Sequence, residues 1–453
     1  MKVSGWRWLA ASSLLLVLTA NAETRPQYGG MLRMMMREAP ATLDPADNAQ
    51  PDSFARRNVT LLIFDTLVTI GENSRVQPSL AVSWQAAGNQ GWKLRLRRGV
   101  KFQDGSPLTA DEAAASLRAA NSSWQITVEG DSLLIENSSS ADLPAELALG
   151  RNAIVKRNPD GSLSGTGPFQ VSEWQPGKKL ILSANEDCWR GRPFLDGVEL
   201  EMAKSFRDQM AAAEMGKADL IEVAPEQEHR ISPDAHDVLK SMPVQLLALL
   251  FTHPVASNDE KVLRDVLALS VERGSIRNVL LQGAGQPAGG ILPTWMSGYG
   301  FIFPTEVDLT RARQLRAQFR SVPTWTIGYD PSDPLGRLIA DRIALNAKDA
   351  GLQLQPTSSA PADVRLVQIP MLSSNAWIAL AGVAEMSGSP MAKSQGSSAA
   401  DLYSAEQAVL AARRVIPLSH LPVTYAGSPR MKSWTVRPEG TIDVSNAWLG
   451  SAR

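Results

Sequence analysis

The chain has 453 residues, with 45 Lys and Arg residues against 46 Asp and Glu residues and a formal net charge of −1 at pH 7. A near-neutral chain without a basic stripe excludes a nucleic-acid-binding protein and a protein held to a membrane by a polybasic patch. The length predicts two or three domains. Cys188 is the only cysteine, so no intramolecular disulfide forms, and we expect it to be buried as a small core residue.

Residues 1–22 have the three parts of a secretory signal. Lys2 and Arg7 give a positive start, residues 8–18 form an apolar core, and residues 20–22 form an A-x-A cleavage site. The core is shorter than the roughly 20 residues of a membrane span. The alternative is a buried N-terminal helix. No cysteine stands at the cleavage site, so we expect a free periplasmic protein and not a lipoprotein.

The first elements after the signal are a strand and a helix. Residues 30–48 predict a strand followed by an irregular turn, and three consecutive methionines, Met34–Met36, are typical of a buried strand. Residues 53–70 separate apolar from polar side chains with a helical period, which predicts an amphipathic helix.

A strand, a turn and a capped helix follow. Apolar and basic residues alternate over 92–97, which predicts a strand with one solvated face, and the basic residues of 93–101 belong to that face rather than to an anion site. Thr109 and Glu112 have the spacing of a capping box for a helix over 110–120.

Residues 165–202 predict a glycine turn, a β-hairpin and a further strand. Gly165 and Gly167 precede an extended run, and Pro176-Gly177 is a strong turn dipeptide. Residues 198–202 alternate apolar and polar side chains, as a half-buried strand does.

The second half of the chain alternates predicted helices and strands. A helix ending at Gly216 leads to a strand over 219–223, and the apolar run 243–255 predicts a central strand. Residues 325–355 have a strand–helix–strand pattern, which indicates parallel strands. Further helices are predicted over 259–281, 308–320, 334–350 and 401–414. The GAGQPA segment follows a helix instead of a strand, so it lacks the context of a dinucleotide-binding loop.

Two of these stretches resemble the family 5 extracellular solute-binding proteins, the receptors of oligopeptide, dipeptide and nickel ABC importers. Residues 79–117 are similar to the family's W-x-F-x-L-R-x-G-V-x-F-x-D-G-x-P-x-T-A-x-D-V run. The second match consists of Gly165–Phe169, Asn185, Trp189, Gly191, Pro193, Leu195 and Asp196. Cys188 departs from the pattern, because the family usually has a tyrosine there.

The resemblance implies an α/β, two-lobed periplasmic-binding-protein-like fold with crossover hinge strands and a small inserted subdomain. The implied parts are a first lobe of residues 23–50, 163–245 and 420–453, an accessory subdomain of residues 51–162, and a second lobe of residues 246–419. Crossovers are expected near 246–256 and 415–426. The second lobe is expected to be shortened, because the family has far more chain in the region of residues 357–400.

The same resemblance implies a periplasmic substrate-binding component of an ABC importer, which captures a peptide-like or other small solute between two lobes. Its partners are the ligand and an ABC permease in the inner membrane, and a monomer is expected. The expected ligand-binding residues are two acids near the first strand, two histidines on the predicted connections between the lobes, and aromatic neighbours: Glu38, Asp44, Phe251, His253, Trp295, Tyr299, Trp377 and His420.

No cofactor, metal or catalytic residue is predicted. The four histidines have no metal-ligand spacing, and the chain has no G-x-S-x-G motif and no P-loop. Two alternatives stay open on the same scaffold: a sensing or degenerate binding protein, and a secreted enzyme, which the missing catalytic motifs disfavour.

The resemblance also restricts the ligand. In peptide-binding members, an aspartate of a D-Y-P-D-P region pairs with the peptide's α-amino group, whereas the only acid here between Asp363 and Asp401 is Glu385. A buried ammonium without a counter-charge is costly. An ordinary free di- or tripeptide is therefore not the expected ligand, unless Glu38, Asp44 or Glu385 supplies the charge.

Overall fold

The structure, a computed structural model, describes residues 25–71, 75–88, 91–136, 142–232, 235–299, 303–359, 361–371, 373–391 and 398–450. The predicted signal over residues 1–22 lies outside them. Within the described ranges, no helix has the length and apolar character needed to cross a membrane.

One mixed sheet runs through both lobes. Its strands, in spatial order, are Phe169–Gln175, Lys179–Ala184, Gly197–Glu201, Met31–Met35, Leu220–Val223, Val415–Gly427, Asp237–Phe251, Val364–Pro370, Thr324–Gly328 and Gln353–Thr357, with Gln286–Pro287 paired to Val415–Gly427 off this path. We call Asp237–Phe251 the first crossover strand and Val415–Gly427 the second, because each lies in both lobes. The predicted crossovers near 246–256 and 415–426 correspond to these two strands.

The two crossover strands pair irregularly at one point between the lobes. Pro243 of the first strand faces Pro422 of the second, and the register shifts on both sides of this pair. Proline has no N–H to donate to a ladder, so regular pairing is interrupted there. The hydrogen-bond ladder of the two crossover strands is therefore interrupted between the two lobes.

The first-lobe core combines the sheet with one helix. Leu32, Leu182 and Val198 are fully buried. The helix Phe54–Ile63 packs into the same core, although the sequence placed residues 51–162 in the subdomain. It ends well before the predicted residue 70. Met34 and Met36 are buried as predicted, and so is Cys188 at 7% exposure.

The helix Phe54–Ile63 ends where the glycine turn approaches it. A Cβ atom on Gly165 would lie 2.0 Å from the carbonyl oxygen of Ile63, and one on Gly167 would lie 2.6 Å from the Ile63 carbonyl carbon. The Gly167 N–H donates to that oxygen at 3.0 Å. The glycines are required because any side chain would collide with the helix backbone.

The inserted subdomain is a four-stranded antiparallel sheet with one helix. The strands are ordered Ala81–Ala87, Gly91–Leu96, Ser132–Glu136 and Gln125–Glu129, and the helix is Ala110–Ala120. The helix has the predicted bounds, and the Thr109 side chain accepts a hydrogen bond from the Glu112 N–H. Ion pairs of Lys93 with Glu129 and of Arg98 with Asp131 lie at the surface, as expected of a solvated face.

The second lobe has a parallel strand–helix–strand unit, as predicted. The strands Thr324–Gly328 and Gln353–Thr357 pair in parallel, and the helix Pro334–Asp349 connects them. Apolar clusters cover both faces of the sheet, one containing Val266 and Ile343 and the other containing Leu380.

The other helices and short strands complete the fold. The helices are Leu143–Glu146, Phe206–Glu214, Asn258–Ser270, Arg273–Ser275, Thr294–Ser297, Leu309–Arg316, Ala376–Ser387 and Ala399–Ala411, with single 3-10 or π turns at Gly150–Asn152, Pro225–Arg230 and Ile276–Leu280. Short strand pairs join Val68–Ile70 to Val76–Pro78, Lys156–Arg157 to Leu163–Ser164, Met431–Lys432 to Trp448–Leu449, and Thr435–Val436 to Ile442–Asp443.

Candidate functional site

A cleft of about 920 Å³ separates the two lobes. The first lobe contributes residues 37–40, 50–54 with Arg56, and 203–205, and the second contributes residues 330–339 in part and the strand residues 365–368 and 370. A smaller cavity of about 360 Å³ adjoins the cleft beside the crossover strands and is lined by residues 222–227 and 422–424. We call it the hinge cavity. Gln245 and Gln368 line both spaces, so the two share part of their walls.

The strand Val364–Pro370 presents a free edge to the cleft. One side pairs with the first crossover strand along its whole length, from Val364 opposite Phe251 to Pro370 opposite Gln245. On its other side only Val364 and Arg365 pair, with the strand Thr324–Gly328. The backbone N–H and C=O groups on this edge, from residue 366 to residue 370, therefore pair with no neighbouring strand of the described chain.

The first-lobe wall is held in place by Arg56. Its guanidinium donates to the carbonyl oxygens of Asp44, Pro45, Asp47 and Gln50 at distances from 2.6 to 3.1 Å. The Asp44 carboxylate forms an ion pair with Arg157 at 2.8 Å. These contacts fix the loop that leads into residues 50–53 of the wall.

An ion pair joins the two lobes across the cleft. Arg37 Nη2 of the first lobe lies 3.1 Å from Asp330 Oδ2 of the second. Asp330 also accepts hydrogen bonds from the Ser332 N–H and hydroxyl. Burial acts to raise the pKa of Asp330, but these hydrogen bonds and the charge of Arg37 outweigh it, so the pKa is lowered and the carboxylate is ionised.

The hinge cavity is rich in acids. Glu222 accepts hydrogen bonds from the Arg37 N–H at 2.6 Å and from Gln209 Nε2 at 3.3 Å, and burial raises the pKa of Glu222 to about 7. Burial also raises the pKa of Glu226. Glu38 and Asp333 line the same space. Arg37 and Arg207 line the cavity as well, so it contains both acidic and basic side chains.

Of the eight predicted ligand-binding residues, Glu38 lines both the cleft and the hinge cavity. The Asp44 carboxylate is already paired with Arg157. Phe251, predicted in the cleft, lies instead in the second-lobe core with no exposed surface, edge-on to Trp325 and under the Arg264 guanidinium at 3.9 Å.

The two predicted histidines have structural contacts. His253 Nδ1 lies 3.2 Å from Arg264 Nη2. His420 is buried, and its Nε2 lies 2.9 Å from the Ile291 carbonyl oxygen. Burial lowers the pKa of His420 to about 4, so it is neutral at pH 7. The hydrogen bond from His420 Nε2 to the Ile291 carbonyl oxygen fixes the position of this residue.

The three remaining aromatic residues pack on the second-lobe core. Trp295 Nε1 donates to the Pro243 carbonyl at 2.9 Å, and the Tyr299 ring meets Tyr403 at 5.5 Å. Trp377 packs against the same apolar cluster.

The sequence analysis did not predict the cleft residues Arg37, Asp330, Gln245, Arg365 and Gln368. Only the position of Arg37 beside Glu38 pointed to any of them.

No group of three or more His, Cys, Asp or Glu side chains in the described ranges is arranged to hold a metal ion.

The comparisons with known proteins agree with this architecture. The model of bacterial extracellular solute-binding proteins, family 5, matches residues 75–128 and 138–395. The chain belongs to this family.

Two curated relatives are the nickel-binding protein NikA of Staphylococcus aureus and the oligopeptide-binding protein AppA of Bacillus subtilis. NikA is 24% identical over 241 residues, 49% of this chain and 49% of NikA. AppA is 24% identical over 327 residues, 63% of this chain and 57% of AppA. The chain thus matches about half the length of each relative.

Among solved structures, the dipeptide binding protein of Pseudoalteromonas sp. SM9913 in complex with Met-Leu superposes with a TM-score of 0.80 at 16% identity, over 93% of this chain and 100% of that chain. This similarity confirms the predicted two-lobed α/β fold.

Proposed function

We propose that the protein is the substrate-binding component of an ABC importer, which binds a peptide-like solute in an extended conformation between its lobes and delivers it to an inner-membrane permease. The observation that carries this proposal is the free strand edge at residues 366–370, which faces a cleft of about 920 Å³.

A free edge recognises a peptide backbone directly. An extended peptide adds to the edge as one more strand, and its side chains point alternately to opposite faces. The cleft volume lies within the range of roughly 300–1,000 Å³ that is typical of small-molecule sites. The peptide-binding relatives support the same ligand class.

Closure of the lobes provides the mechanism. A ligand that contacts both walls makes its full set of contacts only in the closed state, so it shifts the population towards closure. The irregular pairing at Pro243 and Pro422 is the proposed hinge. The predicted signal over residues 1–22 supports export to the periplasm, where we propose that the protein acts as a monomer and without enzymatic activity.

Calorimetry with a tri- to pentapeptide library tests the proposal. At 100 times its dissociation constant, a ligand that binds only the native state adds about 2.7 kcal/mol of stability. We expect a smaller radius of gyration in the complex, and weaker binding when alternate backbone nitrogens of the peptide are methylated. Binding that is indifferent to backbone methylation contradicts the edge mode.

Uptake of the same labelled peptide by cells with and without the gene distinguishes an importer component from a sensor. Peptide binding without any loss of uptake in the deletion strain would favour the sensing protein.

A further inference from the structure

The second lobe also contacts the first lobe and its inserted subdomain at a place outside the cleft. Directly after the strand Val364–Pro370, the Met371 carbonyl oxygen accepts a hydrogen bond from Arg57 Nη1 at 3.0 Å. Four residues later, Asn375 Nδ2 donates to Asp142 Oδ2 at 3.0 Å. We call these two hydrogen bonds the rear contact.

The second of these hydrogen bonds joins two helix N-termini through their capping side chains. Asp142 Oδ1 accepts from a backbone N–H of the helix Leu143–Glu146 in the inserted subdomain. Asn375 Oδ1 accepts from two backbone N–H groups of the helix Ala376–Ser387 in the second lobe. Because each side chain is fixed by its own helix, the bond between them restrains the position of one helix relative to the other.

The rear contact and the cleft lie on opposite sides of the first crossover strand. Gln245 lines the cleft. Successive side chains of a strand point to opposite faces, and the Val244 side chain lies towards Gly440, where Cγ2 is 3.1 Å from the position of an added Cβ atom. The two residues that flank Gly440 line a cavity of about 50 Å³ together with Ser373 and Ser374 of the second lobe. This cavity and the cleft share no lining residue of the described chain.

The surfaces that meet at the rear contact are polar. Ser374 Oγ and Glu439 Oε2 belong to residues that line the small cavity, and neither atom has a hydrogen-bond partner in the described chain. A small polar contact opens at a low cost, because water can replace its hydrogen bonds. The rear contact is therefore suited to form and break during a motion of the lobes.

We propose that Asp142 and Asn375 are positioning residues for ligand binding, because their hydrogen bond resists closure of the cleft and breaks when a ligand draws the two walls together. The inference rests on the proposed function and adds to it a control of ligand affinity that lies outside the cleft.

The position of the hinge gives the direction of the effect. A rotation about Pro243 and Pro422 that narrows the cleft separates groups on the opposite side of the hinge. Met371 moves little in such a rotation, since its N–H donates to the Val244 carbonyl oxygen at 2.7 Å, next to the hinge. Asn375 lies farther from the hinge along the chain, so its bond to the subdomain is the one that closure breaks.

Loss of this bond should tighten ligand binding. The apparent affinity of a ligand that closes the cleft is reduced by the fraction of the protein that the bond holds in the wider conformation. A hydrogen bond to a charged group is strong enough to change this fraction about 3-fold to 10-fold. A purely structural role predicts the opposite sign, because a misplaced second lobe binds the ligand more weakly.

The test combines Asn375→Asp with calorimetry and solution scattering. Aspartate keeps the cap of the helix Ala376–Ser387 but places a carboxylate against that of Asp142. The ligand-free radius of gyration of the full mature protein should decrease, and the tightest peptide of the tri- to pentapeptide library should bind about 3-fold to 10-fold more tightly. The double variant Asp142→Asn/Asn375→Asp again sets an amide against a carboxylate and should restore both values. Asp308→Asn, at the cap of the second-lobe helix Leu309–Arg316, is the matched control and should change neither.

The failures are distinguishable. If Asn375→Asp weakens peptide binding, or if it enlarges the radius of gyration or leaves it unchanged, the inference is overturned while peptide binding stands. If the double variant does not reverse the effect, the hydrogen bond is not its cause, and the inference is overturned as well. If no peptide binds to any variant, the proposed function is overturned, and the scattering of the ligand-free variants still decides whether the rear contact resists closure.

Discussion

Replacing Glu406 by Gln should remove a large part of the pH dependence of stability. Glu406 is fully buried in the second lobe, where Oε1 accepts hydrogen bonds from the Ile291 and Leu292 N–H groups at 2.5 and 3.0 Å. Oε2 has no partner in the described chain. Burial raises the pKa of Glu406 to about 7, and the two N–H donors only partly oppose it.

The sign follows from linkage. The folded protein binds the Glu406 proton more tightly than the unfolded chain, whose glutamate has a pKa of about 4.3. The resulting stabilisation is present below the unfolded pKa and is lost as the pH rises through about 7. A shift of this size corresponds to about 4 kcal/mol at about 1.4 kcal/mol per unit. Gln keeps the Oε1 acceptor but does not ionise.

Urea unfolding between pH 5 and pH 8 measures the effect. The stability of Glu406→Gln relative to the native protein should rise by up to about 3 kcal/mol over this range. Glu385→Gln, at an exposed position in the same lobe, should show no such rise. Parallel pH profiles of the native protein and Glu406→Gln would refute the assignment of a raised pKa to this group.

Three further predictions follow from single contacts. Gly165→Ala should destabilise the protein by about 1–3 kcal/mol or more, because its Cβ would lie 2.0 Å from a helix carbonyl oxygen. Gly274→Ala should be tolerated, because no atom lies within 4 Å of the new Cβ. Thermal unfolding of the two variants measures the difference in stability. Arg37→Ala and Asp330→Ala should each enlarge the ligand-free radius of gyration in solution scattering, with no additional increase in the double variant, because both break the same contact between the lobes. Mass spectrometry of the periplasmic fraction should find a chain that begins at Glu23, and an intact Met1 there would contradict the predicted signal.

The sequence predicted the regular elements whose ends are set locally. The helix Ala110–Ala120 has its predicted bounds because Thr109 caps it. The predicted helix over 259–281 is interrupted after Ser270 and resumes as the helix Arg273–Ser275 and a π turn at Ile276–Leu280. Arg273 is buried there and donates to the Ala288 and Pro417 carbonyl oxygens at 2.9 and 2.8 Å. Such distant partners leave no local pattern in the sequence.

The candidate site was harder to predict, because residue type does not separate a pocket aromatic from a core aromatic. Phe251 and Trp377 have the side chains of a binding site, yet they pack in the second-lobe core. The free strand edge depends on where a neighbouring strand stops, and its main-chain groups carry no residue signature. The bounds of the lobes and the shortened second lobe stay predictions.

The charges available to a ligand in a cleft are those of side chains that have no partner within the protein. Arg37 and Asp330 are 293 residues apart in the chain, so the sequence shows both charges but not that they cancel. A substitution at one member of an ion pair therefore alters ligand binding even when the substituted residue does not contact the ligand. Asp330→Ala would free the Arg37 guanidinium, which lines the hinge cavity together with Glu38. Calorimetry should therefore show that the variant loses more affinity for a peptide with a free amine than for its N-acetylated form, because the unpaired positive charge of Arg37 repels an ammonium group.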